Sequence, residues 1–282
     1  MKTRILTALI ALPIIIASII LPLWWERTVW LFVAIAGFAL AAGLFEFYSL
    51  TKKLELKADA GIAYLGAAAL FTGFVFDAPA KAPDLIVATL TLFLIVVLIS
   101  QTFRFKQDFS KMLNGVGVTV FGVLYVVFLG GFLVATRIGF EHRPGLSTHL
   151  LAYFFLVIFG SDIGAYFAGR AFGKHKLAPV ISPGKTVEGL AGGFLAAAAS
   201  AAAATWLFFP ELPYKWSIPL ACVLALAGVL GDLAESAMKR GSKTKDAASI
   251  LPGHGGFLDR LDSLLFGAPI LYYFARFYFS AY

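Results

Sequence analysis

The chain is divided into nine apolar runs, at roughly 5–23, 28–48, 60–76, 85–100, 114–136, 149–169, 189–209, 216–232 and 264–281. Each approaches the about 20 residues that a helix needs to cross a hydrocarbon core, or about 17 at the short end. The third, fourth and eighth are the shortest. Backbone groups left unpaired in lipid are too costly, so spans of this kind must be helical. Charged residues make up 14% of the 282 and apolar residues 60%. Soluble domains carry roughly 25% charged residues, and a soluble fold of this composition would expose large apolar patches. The fold class expected is an all-α, polytopic integral membrane protein with about nine transmembrane helices. The first run begins Met1-Lys2-Thr3-Arg4 like a signal peptide, but Pro13, Pro22 and the lack of a small-residue cleavage site before Trp24 and Trp25 favour a retained helix.

Loop charge sets the orientation. The side that shares the N-terminus carries 17 of the 23 Lys and Arg, so the N-terminus and those loops are expected in the cytoplasm and the C-terminus outside, in the cell (inner) membrane. Trp24, Trp25 and Trp30 fit an interfacial belt at the first outer turn. The net charge of +7 reads as topogenic charge, some of it available to hold phosphates, and nucleic acid is not expected as a partner. The lone Cys222 sits in an apolar run and forms no internal disulfide. Residues 1–150 form an N-terminal region of about five helices. Residues 151–282 form a region of about four helices with cytoplasmic loops at 170–188 and 236–262. The two are expected to make one integrated membrane domain.

Carboxylates near hydrocarbon are expensive and are functional candidates by default. Glu46, Asp162, Glu188, Asp232, Glu235, Asp259 and Asp262 all fall near the cytoplasmic ends of five spans. Asp232, Ser236, Lys239 and Arg240 stand at i, i+4, i+7 and i+8 and would share one helix face. A carboxylate can hold Mg²⁺, a hydroxyl can donate to phosphate, and Lys and Arg neutralise phosphate charge. The stripe suits a metal–phosphate group. It also suits a plain capping and salt-bridge face.

The next segment carries Lys243, Lys245 and Asp246 and then reads Leu251-Pro252-Gly253-His254-Gly255-Gly256-Phe257-Leu258-Asp259-Arg260-Leu261-Asp262. Glycines around a histidine allow close backbone approach. Asp259 and Asp262 would share a face as the last helix starts, where a helix N-terminus also favours anions. His254 reads as a general acid/base, a phosphate donor, or a loop residue bonded to backbone. The last is favoured, because phosphoryl transfer needs little proton chemistry.

The run from Ser236 to Asp262, with Ser236, Lys239, Arg240, Lys245, Asp246 and the Leu251–Asp262 block, resembles the signature of phosphatidate cytidylyltransferases, also called CDP-diacylglycerol synthases. A second block is similar too: Ser161-Asp162-Ile163-Gly164-Ala165-Tyr166-Phe167-Ala168-Gly169-Arg170, then Phe172 to Pro179, then Ile181-Ser182-Pro183-Gly184-Lys185-Thr186-Val187-Glu188-Gly189. The likeness covers the chain from about residue 155. The first half resembles the family only in hydropathy and in Phe45-Glu46-Phe47. Ala247, Ala248 and Ala234 depart from the usual pattern and leave the expected ligands intact.

The resemblance implies the reaction CTP + phosphatidate → CDP-diacylglycerol + pyrophosphate, dependence on Mg²⁺ with room for a second cation, a homodimer and a cytoplasm-facing site. Carried over by motif, Asp232 and Asp259 look like metal ligands with Asp262 nearby, and Ser236, Lys239 and Arg240 look like phosphate-binding groups. Asp232, Ser236, Lys239, Arg240 and Asp259 are thus the expected catalytic set. Lys174, Lys176, Lys185, Lys245, His254, Gly255, Gly256 and Arg260 are the expected substrate-binding set. Two alternatives stand beside this reading: an ion-coupled transporter, and a nucleotidyltransferase acting on another lipid phosphate. A carrier would place its acids near the membrane midplane rather than at one face.

Overall fold

The computed structural model describes residues 13–80, 82–105, 108–140, 143–242 and 256–280. The described chain is a bundle of helices: α1 (Pro13–Leu23), α2 (Val29–Lys53), α3 (Ala60–Ala80), α4 (Asp84–Phe105), α5 (Phe109–Ile138), α6 (Leu146–Phe172), α7 (Val187–Leu207), α8 (Tyr214–Gly241) and α9 (Leu258–Ser280). Seven of them, α2 to α8, are long and apolar enough to cross a membrane. The first expected span lies partly outside the described residues. The last, α9, has 23 residues, about 34 Å at about 1.5 Å per residue, but Tyr272, Tyr273, Arg276 and Tyr278 make it less apolar. The three spans that read shortest in the sequence are helices of 21, 22 and 28 residues. Their polar ends continue the helix past the apolar stretch.

Local chemistry starts these helices. Asp108 caps α5 by accepting from the Lys111 N–H at 3.0 Å, and Thr186 caps α7 by accepting from the Gly189 N–H at 3.1 Å. Within α5 the residues Val123–Phe128 form a π turn. Tyr48 donates its hydroxyl to the Thr119 carbonyl at 2.8 Å at the start of that turn, so a side chain takes an acceptor that the helix ladder would otherwise use.

Between α6 and α7 the chain forms a β-hairpin, β1 (Lys176–Ala178) and β2 (Ser182–Thr186), antiparallel with Lys176 opposite Thr186 and Ala178 opposite Ser182. This strand pair interrupts the otherwise all-helical fold in a segment expected only as a loop. The helices it joins approach very closely. A β-carbon at Gly164 would collide with Ala196, and one at Gly192 with Ala168. Small residues let two backbones meet where lipid supplies no hydrophobic drive. A second contact region joins α2, α5 and α9: Leu40 and Leu265 sit where a side chain at Gly130 would go, and Leu261 and Val126 pack at Gly43. Leu44, Val126, Leu258 and Leu265 are fully buried there.

Gly192→Leu should force α6 and α7 apart and cost on the order of 1–3 kcal/mol, read as a lower unfolding temperature in detergent. Gly117→Leu, where an added β-carbon meets nothing within 4 Å, should leave that temperature unchanged.

Candidate active site

A cavity of about 600 Å³ lies where the C-terminal part of α6, the hairpin, the start of α7, the C-terminal half of α8 and the first turns of α9 meet. Asp162 and Arg170 line it from α6, Ser182, Lys185 and Thr186 from the hairpin, Asp232 from α8, and Asp259 and Asp262 from α9. Acids from three helices therefore share one end of the bundle.

Glycine decides how close α8 and α9 come. A β-carbon at Gly231 would collide with the Asp262 carbonyl. That contact sets Asp232, the next residue, beside Asp262. Oxygens of Asp232, Glu235 and Asp262 all lie within 4.8 Å of one another. Two of these carboxylates line the cavity, and Glu235 lies behind them, fully buried.

Cations hold the acids in position. Lys185 Nζ reaches Asp232 Oδ2 at 2.7 Å and also donates to the Val229 carbonyl at 3.4 Å, so β2 is tied to α8. Ser236 donates to Asp232 Oδ1 at 3.2 Å, one helical turn away. Lys239 Nζ forms ion pairs with both Glu235 and Asp259, the latter at 2.7 Å. Arg240 donates through Nε to the Ile181 carbonyl at 3.3 Å and stays exposed, joining α8 to the hairpin turn. The helical stripe of Asp232, Ser236, Lys239 and Arg240 thus does hold salt bridges. Its charged groups point to several partners rather than to one.

The start of α9 is clamped from a distance in sequence. Glu46, fully buried at the end of α2, accepts from the Phe257 N–H at 2.9 Å and from the Leu258 N–H at 2.7 Å. Gly256 donates to Asp259 Oδ2 at 2.9 Å, and a β-carbon at Gly256 would collide with the Glu46 carboxylate. The conformational reason for glycine here is this close approach of backbone to carboxylate. Glu188 performs the equivalent task on the hairpin. It accepts from the backbone N–H groups of Lys174 and His175 and pairs with the His175 ring at 2.6 Å.

The remaining sequence candidates divide by place. Lys185 lines the cavity, whereas Lys174 and Lys176 are exposed on the hairpin and do not. Arg260 is exposed on the first turn of α9. Lys245, His254 and Gly255 lie outside the described residues. Sequence reasoning did not single out Arg170, Ser182 or Thr186 as cavity walls, although all three fall inside the second motif block. It flagged Glu235 as a membrane acid without assigning it to the ligands; its i+3 spacing from Asp232 was the available signal.

The donor set suits a hard divalent cation. Among the described residues around the cavity, Asp162, Asp232, Glu235, Asp259 and Asp262 outnumber Lys185, Lys239 and Arg170, and oxygen-rich carboxylate sites take Mg²⁺. Asp232, Glu235 and Asp262 could hold the ion. Asp259 lines the same cavity, but one of its oxygens accepts from Lys239 and the other from the Gly256 N–H, and it is not one of the three acids whose oxygens converge.

Residues 2–278 match the model of the Cytidylyltransferase family. The chain is 37% identical over 206 residues to the phosphatidate cytidylyltransferase of Bacillus subtilis (strain 168), a match covering 72% of this chain and 71% of the relative. It is 42% identical over 153 residues to the enzyme of that name from Haemophilus influenzae, covering 53% of each chain. A third match, to the Staphylococcus haemolyticus (strain JCSC1435) protein of the same name, is 42% identical over 180 residues and covers 62% of this chain and 64% of the relative.

Removing the Glu46 clamp should loosen the start of α9 before anything else. Glu46→Ala is expected to raise hydrogen exchange at the Phe257 and Leu258 amides and to cost roughly 0.5–2 kcal/mol, as loss of a helix cap does. Glu46→Gln, which keeps one acceptor oxygen, should lie between that variant and the parent.

Proposed function

The chain belongs to the cytidylyltransferase family, and from that premise we propose that it is a phosphatidate cytidylyltransferase, converting CTP and phosphatidate into CDP-diacylglycerol and pyrophosphate. The observation that carries this reading is the convergence of Asp262 with Asp232, which is itself paired with Lys185, in a cavity at one end of the membrane helices. A phosphatidate head group stays at the membrane surface while CTP arrives from water, and a cavity at helix ends meets both.

In the proposed reaction an oxygen of the phosphatidate phosphate attacks the α-phosphorus of CTP. A new P–O bond forms, the bond to the β-phosphate breaks, and pyrophosphate leaves with the electron pair. Both reactants are anions, so the site must neutralise charge and hold them in line. Bound at Asp232, Glu235 and Asp262, Mg²⁺ would supply Lewis-acid neutralisation of phosphate oxygens. Lys185 and Arg170 project from the hairpin and α6 onto the cavity and would offset the remaining negative charge. Ser236 steadies Asp232 through its hydroxyl. Lys239 stands between Glu235 and Asp259, ready to exchange one carboxylate for a substrate phosphate. Such an exchange would release Asp259 as a further cation ligand, possible for a second ion. Lys174, Lys176, Arg240 and Arg260 supply exposed positive charge on the same face, which attracts the nucleotide. Lys245, His254, Gly255 and Gly256 complete the substrate-binding set carried by the family motif.

The 17-to-6 charge bias supports a cytoplasmic cavity, a cytoplasmic N-terminus and an outer C-terminus in the cell (inner) membrane. The family resemblance supports a homodimer, which the mass of the purified complex would report.

Purified protein supplied with labelled CTP should form labelled CDP-lipid from phosphatidate, and not from an isoprenoid phosphate, in a reaction that titrates with Mg²⁺. Asp232→Asn and Asp262→Asn should each lower turnover by at least about 100-fold while the protein stays folded in detergent. Near-normal turnover in both would remove the cation assignment. Substrate flux into proteoliposomes without CTP consumption would favour a carrier instead.

A further inference from the structure

A second cavity, of about 840 Å³, lies at the opposite end of the bundle. It is built from the turn before α2, the C-terminal end of α5 and the N-terminal end of α6. From His149 on its wall to Asp162 on the wall of the catalytic cavity is 13 residues of α6, about 20 Å at about 1.5 Å per residue. The two cavities therefore open towards opposite leaflets.

Arg27, Arg137 and Arg143 line this cavity, with Glu26 as its one carboxylate among the lining residues. Arg137 is only 2% exposed. One guanidinium nitrogen donates to Thr148 Oγ1 at 2.9 Å, but its Nε is buried without a hydrogen-bond partner among the described residues. No described carboxylate lies within ion-pair distance of it. Ser147 Oγ, on the same wall, is likewise buried without a partner. Arginine does not shed its proton in proteins, and a buried charge lacking a counter-ion is strongly unfavourable. Arg137 and Ser147 both line the cavity, and a guanidinium fork beside a hydroxyl matches the oxygens of a phosphate group. The rim is apolar and aromatic: Leu23, Trp24, Trp25 and Trp30 are all exposed, as tryptophans are at the interface of head groups and acyl chains.

We propose that this cavity binds the phosphate of an anionic phospholipid in the leaflet opposite the catalytic cavity, with Arg137 and Ser147 on the phosphate and the tryptophan rim against the acyl chains. The rim is what selects a lipid over a free anion, because inorganic phosphate has nothing to bury against it.

The test is a binding titration of delipidated protein in detergent, followed by tryptophan fluorescence, with dihexanoyl phosphatidylglycerol as probe. Dihexanoyl phosphatidylcholine and inorganic phosphate are the comparison ligands. Saturable binding of phosphatidylglycerol is expected, at least about tenfold tighter than either comparison ligand, and weakened at least about tenfold by Arg137→Gln. Should Arg137→Gln fail to fold, the double variant Arg143→Gln with Ser147→Ala carries the same expectation. Lys185→Met, which alters the catalytic cavity, should leave the binding unchanged. Equal affinity in the Arg137 and double variants, loss of binding in Lys185→Met instead, or inorganic phosphate binding as tightly as phosphatidylglycerol would each overturn the proposal.

Discussion

Everything around the first cavity depends on carboxylates being held together at one end of the helix bundle. Like charges at this spacing repel, and the repulsion grows as water is removed. Two lysines make the arrangement possible. Lys239 lies between Glu235 and Asp259 and so ties α8 to α9. Lys185 pairs with Asp232 and so ties the hairpin to α8. Removing Lys239 would leave the fully buried Glu235 without its counter-charge, which is strongly destabilising, whereas the Lys185–Asp232 pair is partly exposed and is worth less. Among the described residues the cavity keeps more acids than cations even so. That imbalance is what a divalent cation and cationic side chains exchanging onto phosphate would relieve.

The backbone serves this charge arrangement at three places. Gly231 lets α8 approach the Asp262 carbonyl, Gly256 lets the loop approach Glu46, and the Gly164 and Gly192 contacts bring α6 against α7. Glu46 and Glu188, both acids, use their oxygens on backbone N–H groups rather than on ligands. Their role is to fix where α9 and the hairpin begin. The opposite end of the bundle shows the inverse electrostatics: an arginine almost wholly buried, with Glu26 the one carboxylate among the described cavity-lining residues. One molecule thus carries a carboxylate-lined cavity at one end of the bundle and an arginine-lined cavity at the other.

Much of the catalytic end was legible in the sequence. The acids of α6, α8 and α9 read as lying at one depth, and Asp162, Asp232, Asp259 and Asp262 do line one cavity. The stripe from Asp232 to Arg240 read as one helix face, and α8 runs on to Gly241. Less legible was the partner of each group. Lys174, Lys176 and Lys185 looked equivalent, yet only Lys185 lines the cavity, because it pairs with Asp232 of α8, a partner from another element that no local pattern specifies. Glu46 lies more than two hundred residues from the amides it binds; no local pattern encodes a contact of that separation.

Sequence alone determined that the chain is a helical membrane protein, because twenty apolar residues in lipid leave the backbone no alternative to the helix. It also set the expectation that the loop cations gather on one face, because that bias is counted along the chain. Which three carboxylates converge, which lysine answers which acid, and that Arg137 lines a cavity at the other end of the bundle were decided only by the tertiary structure. Those outcomes depend on how closely two backbones pass at a glycine, and that distance is a property of the packed pair rather than of either segment.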